Sequence, residues 1–193
     1  MSVEFGYTPA VAISDQERDA FVQFARSAVR AAGEVILPHF RSGVQVTNKL
    51  ENGGFDPVTL ADQAGERAIR EAIERTYPEH GIFGEEYGFQ AGNGLTWVID
   101  PIDGTRAFMT GMLHWGVLLA LFDGESPVIG AMYQPYIDEL FSGDGTSAWL
   151  ERGGQRESLA TSRCEEVASA SLSTTGIEWL AGEQQGQFRQ LSR

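Results

Sequence analysis

The hydrophobic pattern of the chain changes at Pro78 from a helical period to short β-type runs, and this change restricts the available folds. Before Pro78, Ser14 and Glu17 form a capping-box pattern that starts a helix, which we expect to stop or kink at Pro38. A second helix is predicted from about Leu60 to Tyr77. The pattern predicts an α+β fold, with helices covering one face of an antiparallel sheet. The predicted strands are 82–83, 97–99, 115–122, 128–133, 139–141 and 147–151, with one more at 170–175.

The charge balance argues against polyanionic partners. The chain has 27 acidic residues against 14 Lys and Arg, a formal charge of −13, so we expect no nucleic-acid or membrane partner. An anionic ligand would then need bound cations, which reverse the local charge of a carboxylate cluster.

Cysteine content and hydropathy predict a cytoplasmic protein. Cys164 is the single cysteine, so no disulfide within the chain is possible. The N-terminus does not have the pattern of a signal peptide, and the longest uncharged run, 107–122, is shorter than the roughly 18 residues of a membrane span.

Two groups of acids are placed where strands are predicted to end. Glu85 and Glu86 follow the apolar pair at 82–83, although neighbouring acids alternate across a strand, and a solvated turn is the simpler interpretation. Asp100 and Asp103 follow the strand at 97–99.

A tight turn at Gly104 could direct the carboxylates of Asp100 and Asp103 and the carbonyl of Ile102 toward one point. Such oxygen ligands suit Mg²⁺ or Ca²⁺. The alternative is an ordinary Pro-Asp-Gly turn in which one acid caps the next helix. A short helix should begin at Gly104-Thr105 and run through Phe108, and free N–H groups at such a start favour a phosphate oxygen.

Asp62 is predicted in the first turn of the second helix, where the helix dipole alone would favour an acid. It has catalytic interest only if the fold brings it to Thr105, because a hydroxyl and a carboxylate together could position and deprotonate a water. The histidines have no ligand spacing, and no pattern supports covalent catalysis.

Three motifs in this order and spacing, DPVTLAD at 56–62, GEE at 84–86 and WVIDPIDGT at 97–105, resemble the inositol monophosphatase family of Mg²⁺-dependent, lithium-sensitive phosphatases. The chain looks most like the histidinol-phosphate phosphatase branch, which acts in histidine biosynthesis. The segments that carry this second likeness are 100–121, 130–135 and 138–143.

The resemblance implies a site with two or three Mg²⁺ ions. Glu85, Asp100 and the Ile102 carbonyl would bind the first, Asp100 and Asp103 the second, and Glu85 would help to hold a third. It further implies that Asp62, Thr105 and Glu85 act in catalysis, with Asp62 and Thr105 positioning the attacking water. Asp103 and the N–H groups of Gly104 and Thr105 would bind the substrate phosphate, and Glu86 would support the ligands from behind.

The same resemblance implies a layered αβαβα sandwich of the sugar-phosphatase type, found commonly as a homodimer. A further family motif, Trp-Asp followed after one residue by Ala-Ala, is not found before Arg193, so we expect a chain whose C-terminal layers are incomplete. The helices, the sheet and the metal site would occupy 1–150, and the start of a C-terminal α/β layer 151–193.

The expected activity is hydrolysis of a small phosphate monoester, with histidinol phosphate as substrate. Inositol monophosphate is the alternative substrate. A metal-binding fragment or scaffold with little catalysis is the alternative of another class.

Overall fold

The structure is a computed structural model, which describes residues 10–43, 46–48, 57–171, 173 and 181–191. Asp56, the first residue of the DPVTLAD motif, lies outside the described residues.

Two helices, α1 (Asp15–Ile36) and α2 (Leu60–Thr76), pack against each other and against the main sheet. The predicted capping box forms, because the Glu17 N–H donates to the Ser14 hydroxyl while the Glu17 carboxylate accepts from the Ser14 N–H. A 3-10 turn containing Pro38 follows α1, since proline has no N–H to continue the helical ladder. The predicted start and end of this helix are therefore confirmed.

The remaining strands form two sheets in the described part of the chain. A small antiparallel pair joins β1 (Val46–Asn48) to β2 (Pro57–Thr59). The main sheet contains β3 (Gly81–Gly84), β4 (Gly88–Gln90), β5 (Thr96–Asp103), β6 (Gly116–Phe122), β7 (Pro127–Gln134), β8 (Glu139–Gly143), β9 (Ala148–Arg152) and β10 (Gln155–Leu159). Its strand order is β10-β9-β8-β7-β6-β5-β3-β4.

The sheet is mixed, whereas the sequence pattern predicted an antiparallel one. The chain turns from β3 into β4 at one edge and then crosses back, so that β5 pairs with β3 in the parallel direction. The strand β4 was not predicted, because it has three residues, the first of which is a glycine, and so short a segment gives no β period. The other pairings in this sheet are antiparallel, as expected.

The core lies between the two helices and one face of the sheet. Alternate residues of β5, Trp97 and Ile99, are buried there with Val29 of α1 and Ile69 of α2. Among the described histidines, His80 is part of this core, where its Nδ1 accepts a hydrogen bond of 3.1 Å from the Trp97 indole. Burial lowers the pKa of His80 and so favours its neutral form.

The opposite face of the sheet carries the half-buried side chains that alternate with the core residues. They surround a groove of about 480 Å³ in which Asp100 is the one charged residue among the described lining residues. The other residues of the lining are small or apolar, and include Val98, Leu118, Met132 and Phe141.

The chain divides into two compact units, Met1–Leu159 and Ala160–Arg193. The hairpin of β9 and β10 pairs with the main sheet and belongs to the first unit. The second unit contains a 3-10 turn, Val167–Ser169, and α4 (Gly182–Leu191). Residues 170, 171 and 173 are exposed and not in a strand, so the prediction at 170–175 fails there, and the rest of that segment lies outside the described residues.

Among the described residues, no helix has the length and apolarity that crossing a membrane requires.

Candidate active site

Asp100 and Asp103 lie at the end of β5, on either side of an irregularity in the sheet. In a regular strand, residues three apart point to opposite faces. Here Asp100 pairs with Leu118 and Asp103 with Gly116, so three steps along β5 match two along β6. The extra residue is a β-bulge, which turns the second acid toward the face of the first. Pro101 lies inside the bulge, where its missing N–H costs no regular ladder bond.

Glu85 reaches the same place from the neighbouring strand. Gly84, the last residue of β3, lies beside Ile99 in the parallel pairing, so the next residues, Glu85 and Asp100, emerge side by side at one edge of the sheet. A hydrogen bond between the two carboxyl groups joins them.

The electrostatic environment of Asp100 raises its pKa to about 7. The largest cause is burial, followed by the negative charges of Glu85 and Asp103, while a hydrogen bond from the backbone of Ile102 acts in the opposite direction. One carboxylate oxygen of Asp100, Oδ1, is buried and finds no hydrogen-bond donor among the described residues. Among the described residues, Asp100 is therefore a carboxylate without a positive partner.

The donor set suits a hard divalent cation. Carboxylate oxygens of Glu85, Asp100 and Asp103 are joined by the carbonyl oxygen of Ile102, which accepts a hydrogen bond of 3.1 Å from the Thr105 hydroxyl. In the described part of the chain, however, no three acidic, His or Cys side chains are already gathered closely enough to hold one ion. Without a cation, the repulsion of Asp100 by Glu85 and Asp103 opposes a tighter cluster.

Asp62 is buried in the first turn of α2 and takes part in a capping box. Its Oδ2 atom accepts hydrogen bonds from the Thr59 N–H, at 2.8 Å, and from the Thr59 hydroxyl. The capping box of Thr59 and Asp62 was not predicted from the sequence. Thr105 begins the next helix, α3 (Thr105–Met109), which lies against β2, the strand that leads directly into α2. The fold thus brings the elements that carry Asp62 and Thr105 together.

Gly104 has a backbone conformation that other residues rarely adopt. Its φ of +87° is left-handed, and a Cβ at this position would overlap the carbonyl oxygen of His114. The tight turn and the short helix expected after Asp103 are therefore confirmed, with the helix ending one residue later than predicted.

Glu66 was not predicted as a site residue, and its side chain is completely buried behind the Glu85 turn. A signal for it exists. Glu66 follows Asp62 by one helical turn and shares its buried helix face with Ile69 and Ile73, where an acid needs a specific partner. Glu86, expected to support the ligands, donates its N–H to Glu66 at 2.6 Å.

A mixed sheet backed by helices, with acids at the ends of adjacent strands, defines an α+β sandwich. In solved structures, the inositol monophosphatase from Zymomonas mobilis matches with a TM-score of 0.73 and 33% identity, over 93% of this chain and 66% of that one. The profile of the inositol monophosphatase family matches residues 17–189, and the chain belongs to this family.

Two curated relatives are named as phosphatases. A histidinol-phosphatase of Chlorobaculum parvum is 37% identical over 161 residues, which are 82% of this chain and 60% of the relative. A chloroplastic bifunctional phosphatase of Arabidopsis thaliana is 34% identical over 171 residues, 84% of this chain and 46% of the relative. The chain therefore spans about half the length of the curated relatives it matches.

Proposed function

We propose that this chain carries the centre of a Mg²⁺-dependent phosphomonoesterase. The observation that carries the proposal is the meeting of Glu85, Asp100 and Asp103 at one sheet edge, where Asp100 is partly buried and has no cationic partner in the described part of the chain. Carboxylates that lie close together repel one another, so such a cluster is found mainly where a cation binds. Membership of a generally Mg²⁺-dependent family supports Mg²⁺ as the ion.

Each residue has a proposed part in holding the ions. Glu85, Asp100 and the Ile102 carbonyl would bind one ion, Asp100 and Asp103 another, and Glu85 would help with a third. Bound ions would supply the positive charge that stabilises the attacking and leaving oxygens during phosphoryl transfer. The buried Oδ1 atom of Asp100 supports this assignment, since it has no other partner among the described residues.

The remaining site residues are proposed to orient water and substrate. Asp62 would accept a proton from the attacking water, and its bonds from Thr59 fix the orientation of the carboxylate. Thr105 would hold the same water through its hydroxyl. The N–H groups of Gly104 and Thr105, together with Asp103, would position the phosphate in line with that water.

Histidinol phosphate is the proposed substrate. This choice rests on the sequence segments 100–121, 130–135 and 138–143 and on the likeness to the Chlorobaculum parvum histidinol-phosphatase. Inositol monophosphate is the second candidate, because the Zymomonas mobilis inositol monophosphatase matches over 93% of this chain. The homodimer, the cytoplasmic location and lithium sensitivity stay predictions.

The test measures phosphate release from both substrates, with Mg²⁺ and with EDTA, for the wild type and for Glu85→Gln. We expect release that requires Mg²⁺, a higher kcat/KM for histidinol phosphate, and at least about a hundredfold loss in Glu85→Gln. Glu74→Gln is the matched control, since Glu74 is exposed on α2 away from the site. A higher kcat/KM for inositol monophosphate would reverse the choice of substrate. Mg²⁺ binding without any release would instead support the metal-binding or scaffold alternative.

A further inference from the structure

The buried carboxylate of Glu66 lies behind the turn that carries Glu85. Its side chain has no exposed surface, on a helix face otherwise occupied by residues such as Gly65 and Ile69. A carboxylate in such a place is costly unless its oxygens are satisfied, and removing a partner leaves a buried charge.

Both oxygens of Glu66 are satisfied by the turn and by one arginine. Oε2 accepts the N–H of Glu86 at 2.6 Å, and Oε1 accepts the N–H of Tyr87 at 3.2 Å and Nε of Arg70 at 2.7 Å. Arg70 also donates to the carbonyl of Gly88. The turn between β3 and β4 is thus held at its N–H groups and at its far carbonyl.

Gly84 allows this close approach. A Cβ at position 84 would overlap the carboxylate of Glu66, so the glycine leaves the space that the acid fills. The Glu66 carboxylate thus lies close to the backbone of Gly84 and accepts the N–H of Glu86, the two neighbours of Glu85 in the chain.

The side chain of Glu85 is exposed. The backbone of the turn sets the place from which this side chain extends beside Asp100, and a hydrogen bond joins the two carboxyl groups. A hydrogen-bonded residue behind a metal ligand commonly controls how well the ligand binds its ion.

We propose that Glu66 is a positioning residue that holds the turn from Gly84 to Gly88 so that Glu85 meets Asp100 at the metal site. The inference rests on the proposed function, because it assigns Glu66 a part in metal binding. A residue that only anchors the β3–β4 hairpin would change folding stability and leave metal affinity unaltered.

The test compares Glu66→Gln with the wild type by thermal unfolding, first in EDTA and then over a Mg²⁺ titration. The amide keeps the size of the side chain but presents N–H groups to backbone N–H donors, so the turn loses at least one of its bonds. We expect the Mg²⁺ concentration for half of the maximal thermal shift to rise by about 10- to 100-fold. The Mg²⁺ midpoint for phosphate release should rise in parallel, with kcat largely recovered at saturating Mg²⁺ and KM little changed.

Glu71→Gln is the matched control, because Glu71 is exposed on the same helix and loses the same charge. It should leave the Mg²⁺ midpoint unchanged. If Glu66→Gln does not fold, Arg70→Lys takes its place, since lysine keeps the charge but loses the planar fork that joins Glu66 to Gly88. We expect Arg70→Lys to raise the midpoint in the same direction.

The outcomes separate the inference from the proposed function. A wild type without a Mg²⁺-dependent shift would overturn the proposed function and this inference with it. A Mg²⁺-responsive wild type whose midpoint is shared by the folded variant, Glu66→Gln or Arg70→Lys, would overturn the inference alone, even if that variant melts earlier.

Discussion

Replacing Asp100 by Asn should stabilise the metal-free protein at alkaline pH and abolish its response to Mg²⁺. The fold raises the pKa of Asp100 from 3.8 to about 7, so it favours the protonated carboxyl. The stability that this group contributes is full below its unfolded pKa and is lost as the pH rises through about 7. Asparagine resembles the protonated form at every pH and avoids this loss.

The size of the effect follows from the shift. The rise in the pKa of Asp100 from 3.8 to about 7 corresponds to about 4 kcal/mol of unfolding free energy. Solvent at the partly exposed site reduces this to about 2 kcal/mol. For a chain of this length the gain is about 4 to 8 °C in melting temperature at pH 8 in EDTA. At pH 4 the two proteins should melt at similar temperatures, because the wild-type Asp100 is then protonated in the folded state.

The assay is thermal unfolding in EDTA from pH 4 to pH 8, repeated at pH 8 with saturating Mg²⁺. Mg²⁺ should raise the melting temperature of the wild type and leave that of Asp100→Asn unchanged, and this variant should release no phosphate. Glu125→Gln, at an exposed hairpin turn, controls for the loss of one negative charge. A variant that is less stable than the wild type at pH 8 in EDTA, with the same pH dependence, would refute the electrostatic reasoning. Full activity in Asp100→Asn would refute the mechanism.

Two further substitutions test the backbone around the site. Gly104→Ala should cost about 1 to 3 kcal/mol of unfolding free energy through its left-handed φ, with lower phosphate release, and an unchanged urea midpoint would contradict the assigned turn. Thr59→Ala removes the cap that orients Asp62 and should cost about 1 kcal/mol in urea unfolding while lowering kcat; a stability loss with full kcat would show that the cap serves the helix alone.

The sequence indicates the candidate residues more readily than their arrangement. Asp100 and Asp103 stand out because they follow an apolar strand and precede a glycine, but a spacing of three predicts opposite faces in a regular strand. Their common direction depends on the bulge, and a bulge is set by pairing with β6 rather than by local residues alone. The meeting of Glu85 with Asp100 likewise depends on the parallel pairing of β3 and β5, which no periodicity reveals.

Glu66, the completely buried acid of α2, was missed for a different reason. Along a helix, Glu66 and Arg70 are separated by four residues and form the kind of pair that usually lies on a solvated surface. The helical period places Glu66 on the face of Ile69 and Ile73, but only the tertiary structure shows that the β3–β4 turn covers this pair and supplies N–H donors to the acid. The position of Gly84 directly before two acids was a second local hint, since it indicates that another group approaches the backbone there.

The bulge and the turn held by Glu66 solve one physical problem in two ways. Glu85 and Asp103 are exposed, so apolar packing cannot press these mutually repelling side chains toward Asp100. Their positions are set through the backbone instead, by an extra residue in β5 and by hydrogen bonds from a buried carboxylate behind β3. An arrangement fixed in the backbone persists when no cation is bound. The repulsion among the acids then raises the pKa of Asp100, and the strand ends keep their geometry. We therefore expect metal removal to alter the charge state of the site while leaving β3 and β5 in register.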